Sequence, residues 1–111
     1  MLAPLDETAL ARPVEAAYKR GIQTVIIDSD LKSRDIASFV ATDNYAAGKL
    51  AAKHMAELFG NSPAKIMVMR YLEGSASNSF REDGFLDGIK EYAPNAQVIS
   101  SNQYAGVTAR S

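Results

Sequence analysis

Between residues 8 and 20, apolar side chains recur at helical spacing at Leu10, Val14, Ala17 and Tyr18, which predicts a first helix. Asp6 or Thr8 can cap its start, Pro13 fits its first turn, and Gly21 stands where a left-handed C-terminal cap belongs. Residues 23–28 form a short β-branched run that ends in the carboxylate of Asp28. Its continuous apolarity predicts a strand buried on both faces, as in a parallel sheet. Residues 29–37 are polar and read as a loop, and 38–41 as a second strand. Asp43 then caps a long helix whose apolar stripe includes Ala47, Leu50, Ala51, Met55 and Leu58, stopped by Gly60 and Pro63.

The second half repeats the alternation. Residues 65–71 predict another buried strand, and 73–78 a loop of small residues. The helix that follows reaches about Tyr92 and turns Phe80, Phe85 and Ile89 inward, and 96–100 read as a last strand. Residues 105–111 look like the start of a further helix capped by Thr108. The order α-β-β-α-β-α-β, with helices between strands, predicts crossover units and an α/β fold built on parallel strands. In open parallel sheets, ligands bind beyond the carboxyl ends of the strands. That rule selects residues 28–30, 42–44, 71–78 and 101–104.

Composition narrows the chemistry. The 111 residues carry 12 Lys+Arg, 13 Asp+Glu and no cysteine, for a formal net charge of −1. Thiolate zinc sites, disulfides and a cysteine nucleophile are excluded, and no basic footprint for nucleic acid exists. No apolar run reaches membrane-spanning length. The opening Met1-Leu-Ala-Pro-Leu-Asp6 shows no basic segment followed by an apolar stretch, so no signal peptide is expected in this chain.

Most catalytic patterns fail on inspection. Asp28-x-Asp30 would need a glycine at Ser33 and an acid at Phe39 to form a calcium loop. His54, the lone histidine, has no ligand or triad partner at suitable spacing. The serines around Gly74 follow a strand and precede a helix, but Ala76 occupies the position where a nucleophile elbow needs serine. Neither glycine-rich phosphate motif is present. Two features remain open. Asp28 either accepts hydrogen bonds from vicinal hydroxyls at a strand end or merely caps and closes a loop. Arg81, expected in a helix's first turn where the dipole disfavours a cation, either pairs with Glu82-Asp83 or points its planar fork at a polar ligand. Gly84 either lets its helix approach the sheet closely or is a tolerated weak helix former.

In combination, four segments resemble the type I periplasmic sugar-binding proteins of ABC transporters, the ribose-binding class. They are Ala3-Pro4-Leu5-Asp6, Gly21-Ile22 through Asp28, Val40-Ala-Thr-Asp-Asn44 with Gly48-Lys49-Leu-Ala-Ala52, and Gly74 with Arg81-x-x-Gly84-Phe85. The resemblance implies part of a periplasmic-binding-protein-like I fold with flavodoxin-like lobes, in a two-lobed clamp that closes on one sugar. On this reading residues 1–41 are a remnant of the first lobe, 42–43 a hinge crossing, and 44–111 the first half of the second lobe. Asp28 matches a carboxylate that accepts from sugar hydroxyls, Arg81 a donor to the same sugar, Thr42 a hinge and cleft residue, and Leu72 an apolar contact. The resemblance also makes Ser29 a substrate-binding position; it stands where ribose binders carry arginine, which argues against assuming ribose. Ala3 stands where some members place an asparagine.

The implied function is that of a solute-binding component of an ABC importer, with no enzyme activity and no cofactor. The matched segments cover only part of such a clamp, so the chain is expected to be an internal fragment. Its partners would be a monosaccharide, bound weakly or not at all by the fragment, and an ABC permease for the full-length parent outside the cytoplasm. Unpaired strand edges would favour self-association, and no nucleic acid is expected as a ligand. The alternative is the effector domain of a lactose-repressor-type regulator, which shares the Asp-Asn and Arg-x-x-Gly-Phe pattern. A stand-alone small flavodoxin-like enzyme is a third reading, without a visible catalytic pair.

Overall fold

Asp6 sets where the first helix begins. Its Oδ1 accepts from the Thr8 and Ala9 backbone N–H groups and from the Thr8 hydroxyl, all at 2.7–2.8 Å, which closes a tight turn. Helix α1 (Ala11–Lys19) therefore starts one turn later than the apolar spacing predicts, and no side chain caps it. The computed structural model describes residues 1–108, and their elements occur in the expected order. The helix expected after Thr108 lies outside the described residues.

The chain divides into two compact units, Met1–Thr42 with Gly74–Ser77, and Asp43–Glu73 with the residues from Asn78 on. In the first unit, β1 (Val25–Ile27) and β2 (Ser38–Val40) pair in parallel, Ile26 opposite Phe39. No helix links them; residues 28–37 make the crossover as a loop. Leu2 bridges to Ile26 on the other side of β1, bonded to the backbones of Val25 and Ile27. The core is Val14, Ile26 and Leu31, with Leu2 and Ile36 packed against it. The burial on both faces expected of residues 23–28 is not what β1 shows. Only Ile26 of β1 is buried and β2 is exposed throughout, because a two-stranded sheet lacks the neighbours that would cover it.

The second unit contains a true crossover. Asp43 accepts from the Ala46 N–H and caps α2 (Asn44–Phe59), as its sequence position predicts. Strand β3 (Lys65–Arg70), helix α3 (Ala76–Tyr92) and strand β4 (Gln97–Tyr104) form a β-α-β unit with parallel pairing. Ala52, Ile66, Ile89 and Ala93 make the core, with Phe85 and Val98 among the side chains against it. Two register irregularities lengthen β4 relative to β3, so residues 101–104 continue the strand where a terminal loop was expected.

The inner faces of the helices also differ from expectation. Leu50 and Leu58 are 68% and 75% exposed and Phe80 is 53% exposed, whereas α2 buries Asn44, Gly48 and Ala52. The cause is a close helix–helix approach. A Cβ on Gly48 would overlap the Arg81 carbonyl, and one on Gly84 the Tyr45 carbonyl. Gly84 thus serves a close approach to α2, not to the sheet. Bulky side chains cannot lie between backbones this near, so the large apolar residues fall on the outer faces.

Candidate functional site

Asp28 immediately follows β1 and its backbone N–H donates to the Val40 carbonyl at 3.0 Å, extending the strand pairing by one step. Its φ of 67° is the one positive value outside glycine among the described residues. That left-handed conformation is uncommon for a residue with a Cβ, though short polar side chains such as aspartate tolerate it best. It takes the chain sharply out of the strand at the carboxyl end, and the residue is exposed there. An exposed carboxylate held on such a turn can accept two hydrogen bonds from neighbouring hydroxyls.

Ser29 is placed differently. It is 3% exposed, and its Oγ accepts from the backbone N–H of Ser77 at 3.1 Å. Ser77 is the second residue of α3, where an N–H has no partner within the helix, so Ser29 supplies a cap from a distant part of the sequence. Thr42 is exposed at the end of the same unit. The Gly74 carbonyl accepts from Glu7 N–H at 3.0 Å, and a Cβ on Gly74 would meet Asp6 Oδ2 at 2.6 Å. Ser75 of this loop and Ser77 at the start of α3 are both buried.

In the second unit, Leu72 is half-buried two residues beyond β3. Arg81 lies in the second turn of α3, because the helix begins at Ala76; the dipole objection, which belongs to the first turn, therefore weakens. Glu82 and Asp83 do not pair with it. Both face Arg70, at 3.3 and 3.6 Å, and Arg70 Nε also donates to the Ser101 carbonyl at 2.7 Å. Glu82 further accepts the Tyr71 N–H at 3.0 Å, tying the end of β3 to α3. Arg81 instead donates from Nη2 to the Asn44 side-chain oxygen at 2.6 Å. Sequence reading did not find this partner, since nothing in either local pattern relates positions 37 residues apart.

A groove of about 330 Å³ in the second unit is lined by Ala51, Met55, Val68, Phe85, Arg81 and Glu82 among others. Its mostly apolar wall offers few partners for a ligand rich in hydroxyls. His54 is exposed and lies 3.5 Å from Glu57, its helical neighbour. Among the described residues, no group of three or more His, Asp or Glu side chains could hold a metal ion.

The chain is similar to several known proteins. A family model described as a periplasmic binding protein domain matches residues 1–110. The D-allose-binding periplasmic protein of Escherichia coli K12 is 30% identical over 106 residues, covering 89% of this chain and 34% of that protein. The crystal structure of the periplasmic component of an ABC-type sugar transport system from Hahella chejuensis superposes with a TM-score of 0.87 at 37% identity. It covers 95% of this chain and 38% of its own. An ABC transporter solute-binding protein from Agrobacterium vitis, solved with bound D-fucose, gives a TM-score of 0.80 at 43% identity, covering 93% and 35%. The chain spans about a third of the length of these relatives.

Proposed function

The chain belongs to the periplasmic binding protein domain family, and on that premise we propose that it forms part of the sugar-binding component of an ABC importer. The 43% identity with a solute-binding protein that holds D-fucose carries this reading. Residues 1–41 then belong to one lobe and 44–111 to the other, with 42–43 as the crossing. The Asp28 carboxylate accepts from vicinal sugar hydroxyls, and Arg81 donates to the same class of ligand. Thr42 and Leu72 add polar and apolar contact. Ser29 leaves a small neutral neighbour beside Asp28 where ribose binders carry arginine. The role is binding rather than catalysis, and the whole protein works outside the cytoplasm with an ABC permease. The two solved structures above are named as transporter components, so no observation favours the repressor reading.

Hydrogen bonds to a charged group contribute about 1.5–3 kcal/mol each, which corresponds to about ten- to hundredfold in affinity. Titration of D-fucose, D-allose and D-ribose, followed by amide and side-chain NMR, tests the assignment. At least one sugar is expected to bind weakly and shift resonances of Asp28 and Arg81. Asp28→Asn should weaken that response at least tenfold while preserving the fold. A sugar response of the wild-type chain that Asp28→Asn leaves unchanged overturns the assignment of Asp28. We further propose that the exposed edge of β2 and the apolar groove of the second unit drive self-association. Light scattering should find a dimer, and a monodisperse monomer would refute it.

A further inference from the structure

We propose that Asn44 is a positioning residue for Arg81, an inference that rests on the sugar-binding reading of Arg81 above. An arginine side chain has many rotamers, and an unrestrained guanidinium loses that freedom whenever it engages a ligand. Here Nη2 is already committed to Asn44 Oδ1 at 2.6 Å. Asn44 itself is 7% exposed and opens α2 directly after the Asp43 cap, so its own freedom is small.

The backbones that carry the two residues are fixed as well. Gly48 lies against the Arg81 carbonyl and Gly84 against the Tyr45 carbonyl, so the start of α2 and the second turn of α3 are in direct contact. The hydrogen bond therefore spans two anchored points. A guanidinium has five donors in one plane, and fixing one nitrogen sets the plane for the rest. Because the acceptor is a neutral amide, the orientation is imposed without cancelling the cation's charge. The nearby carboxylates of Glu82 and Asp83, which would cancel it, are engaged by Arg70.

The test combines Asn44→Ala, Asn44→Asp and Arg81→Ala in the full chain, with two readouts. The first is the ¹⁵N–¹H spectrum of the Arg81 guanidinium without ligand, which reports its rotation. The second is the D-fucose titration. Asn44→Ala should let the guanidinium rotate freely and weaken the sugar response about two- to tenfold, the range expected for ordering one long side chain. Asn44→Asp, which keeps an acceptor in place, should restore the ordered spectrum. If Asn44→Ala lacks the native amide spectrum, Asn44→Ser replaces it, keeping a polar group but withdrawing the acceptor. An unchanged guanidinium spectrum in the variant overturns the proposal. So does an unchanged sugar response where Arg81→Ala abolishes it, and in that case the sugar site stands. An unchanged response in Arg81→Ala removes the sugar reading at that residue and the positioning role with it.

Discussion

The two units solve the same problem, a parallel strand pair, by different means. In the second, α3 makes the crossover between β3 and β4 and packs α2 at glycine contacts over a core of Ala52, Ile66, Ile89 and Ala93. In the first, a ten-residue loop makes the crossover, and only three side chains are buried in the core. Polar bonds tie its turn and loop in place. Asp6 closes the turn before α1, Lys32 pairs with Glu7 at 2.6 Å and donates its N–H to the Glu7 carbonyl, and Ser29 accepts from the Ser77 N–H within the same unit. A helical crossover carries its own apolar face to the sheet, whereas a loop must be tied down residue by residue.

The sharpest way to break this contrast is Gly84→Val. The new Cβ would overlap the Tyr45 backbone, which no rotamer change relieves, so a loss of about 3 kcal/mol or more is expected in urea denaturation. A loss below about 1 kcal/mol would mean that the helices separate easily and that the close contact is not what holds the second unit. Next come Ile26→Ala and Ile89→Ala, each expected to cost about 2–4 kcal/mol. Hydrogen exchange should place the first lesion in β1 and β2 and the second in β3, β4 and α3. Loss of protection across both units in either variant would show that they do not behave as separate cores.

Smaller effects separate the caps. Asp43→Ala should cost about 1 kcal/mol at the start of α2. Asp6 carries a pH signature instead, because the Thr8 hydroxyl and the Thr8 and Ala9 N–H groups hold its pKa below the ordinary 3.8. A depressed carboxylate contributes stability above its unfolded value, and that contribution fades as pH falls through the lower folded value. The acid limb below about pH 4 should therefore flatten in Asp6→Asn. A wild-type acid limb in that variant would show that the turn draws nothing from the charge.

Element order was legible from the sequence because each segment keeps its own period, and the Asp43 cap was legible because capping is local. The inner face of α2 was not. Hydrophobicity points to Leu50 and Leu58, but contact between helix backbones selects Gly48, Ala52 and Asn44, which are small or polar. The end of β4 was hidden for a related reason, since Ser101, Asn102 and Gln103 have poor strand propensity, and the strand is carried past them by the pairing of Gln103 and Tyr104 with Met69 and Arg70. Asp28 and Arg81 could be singled out as candidates by their chemistry, but the hydrogen-bond partner of Arg81 could not. Glu82 and Asp83 are its neighbours in sequence, and the fold gives them to Arg70.

The left-handed backbone at Asp28 restricts what evolution can try at that position. Glycine fits the conformation best, asparagine and aspartate tolerate it, and branched or bulky residues carry strain there. Glycine brings no side chain to a ligand, so a chain that keeps this turn and still recognises hydroxyls has a repertoire of two. On the role proposed for Asp28, diversification of ligand preference would fall instead on neighbouring positions, whose backbones leave the choice of side chain open.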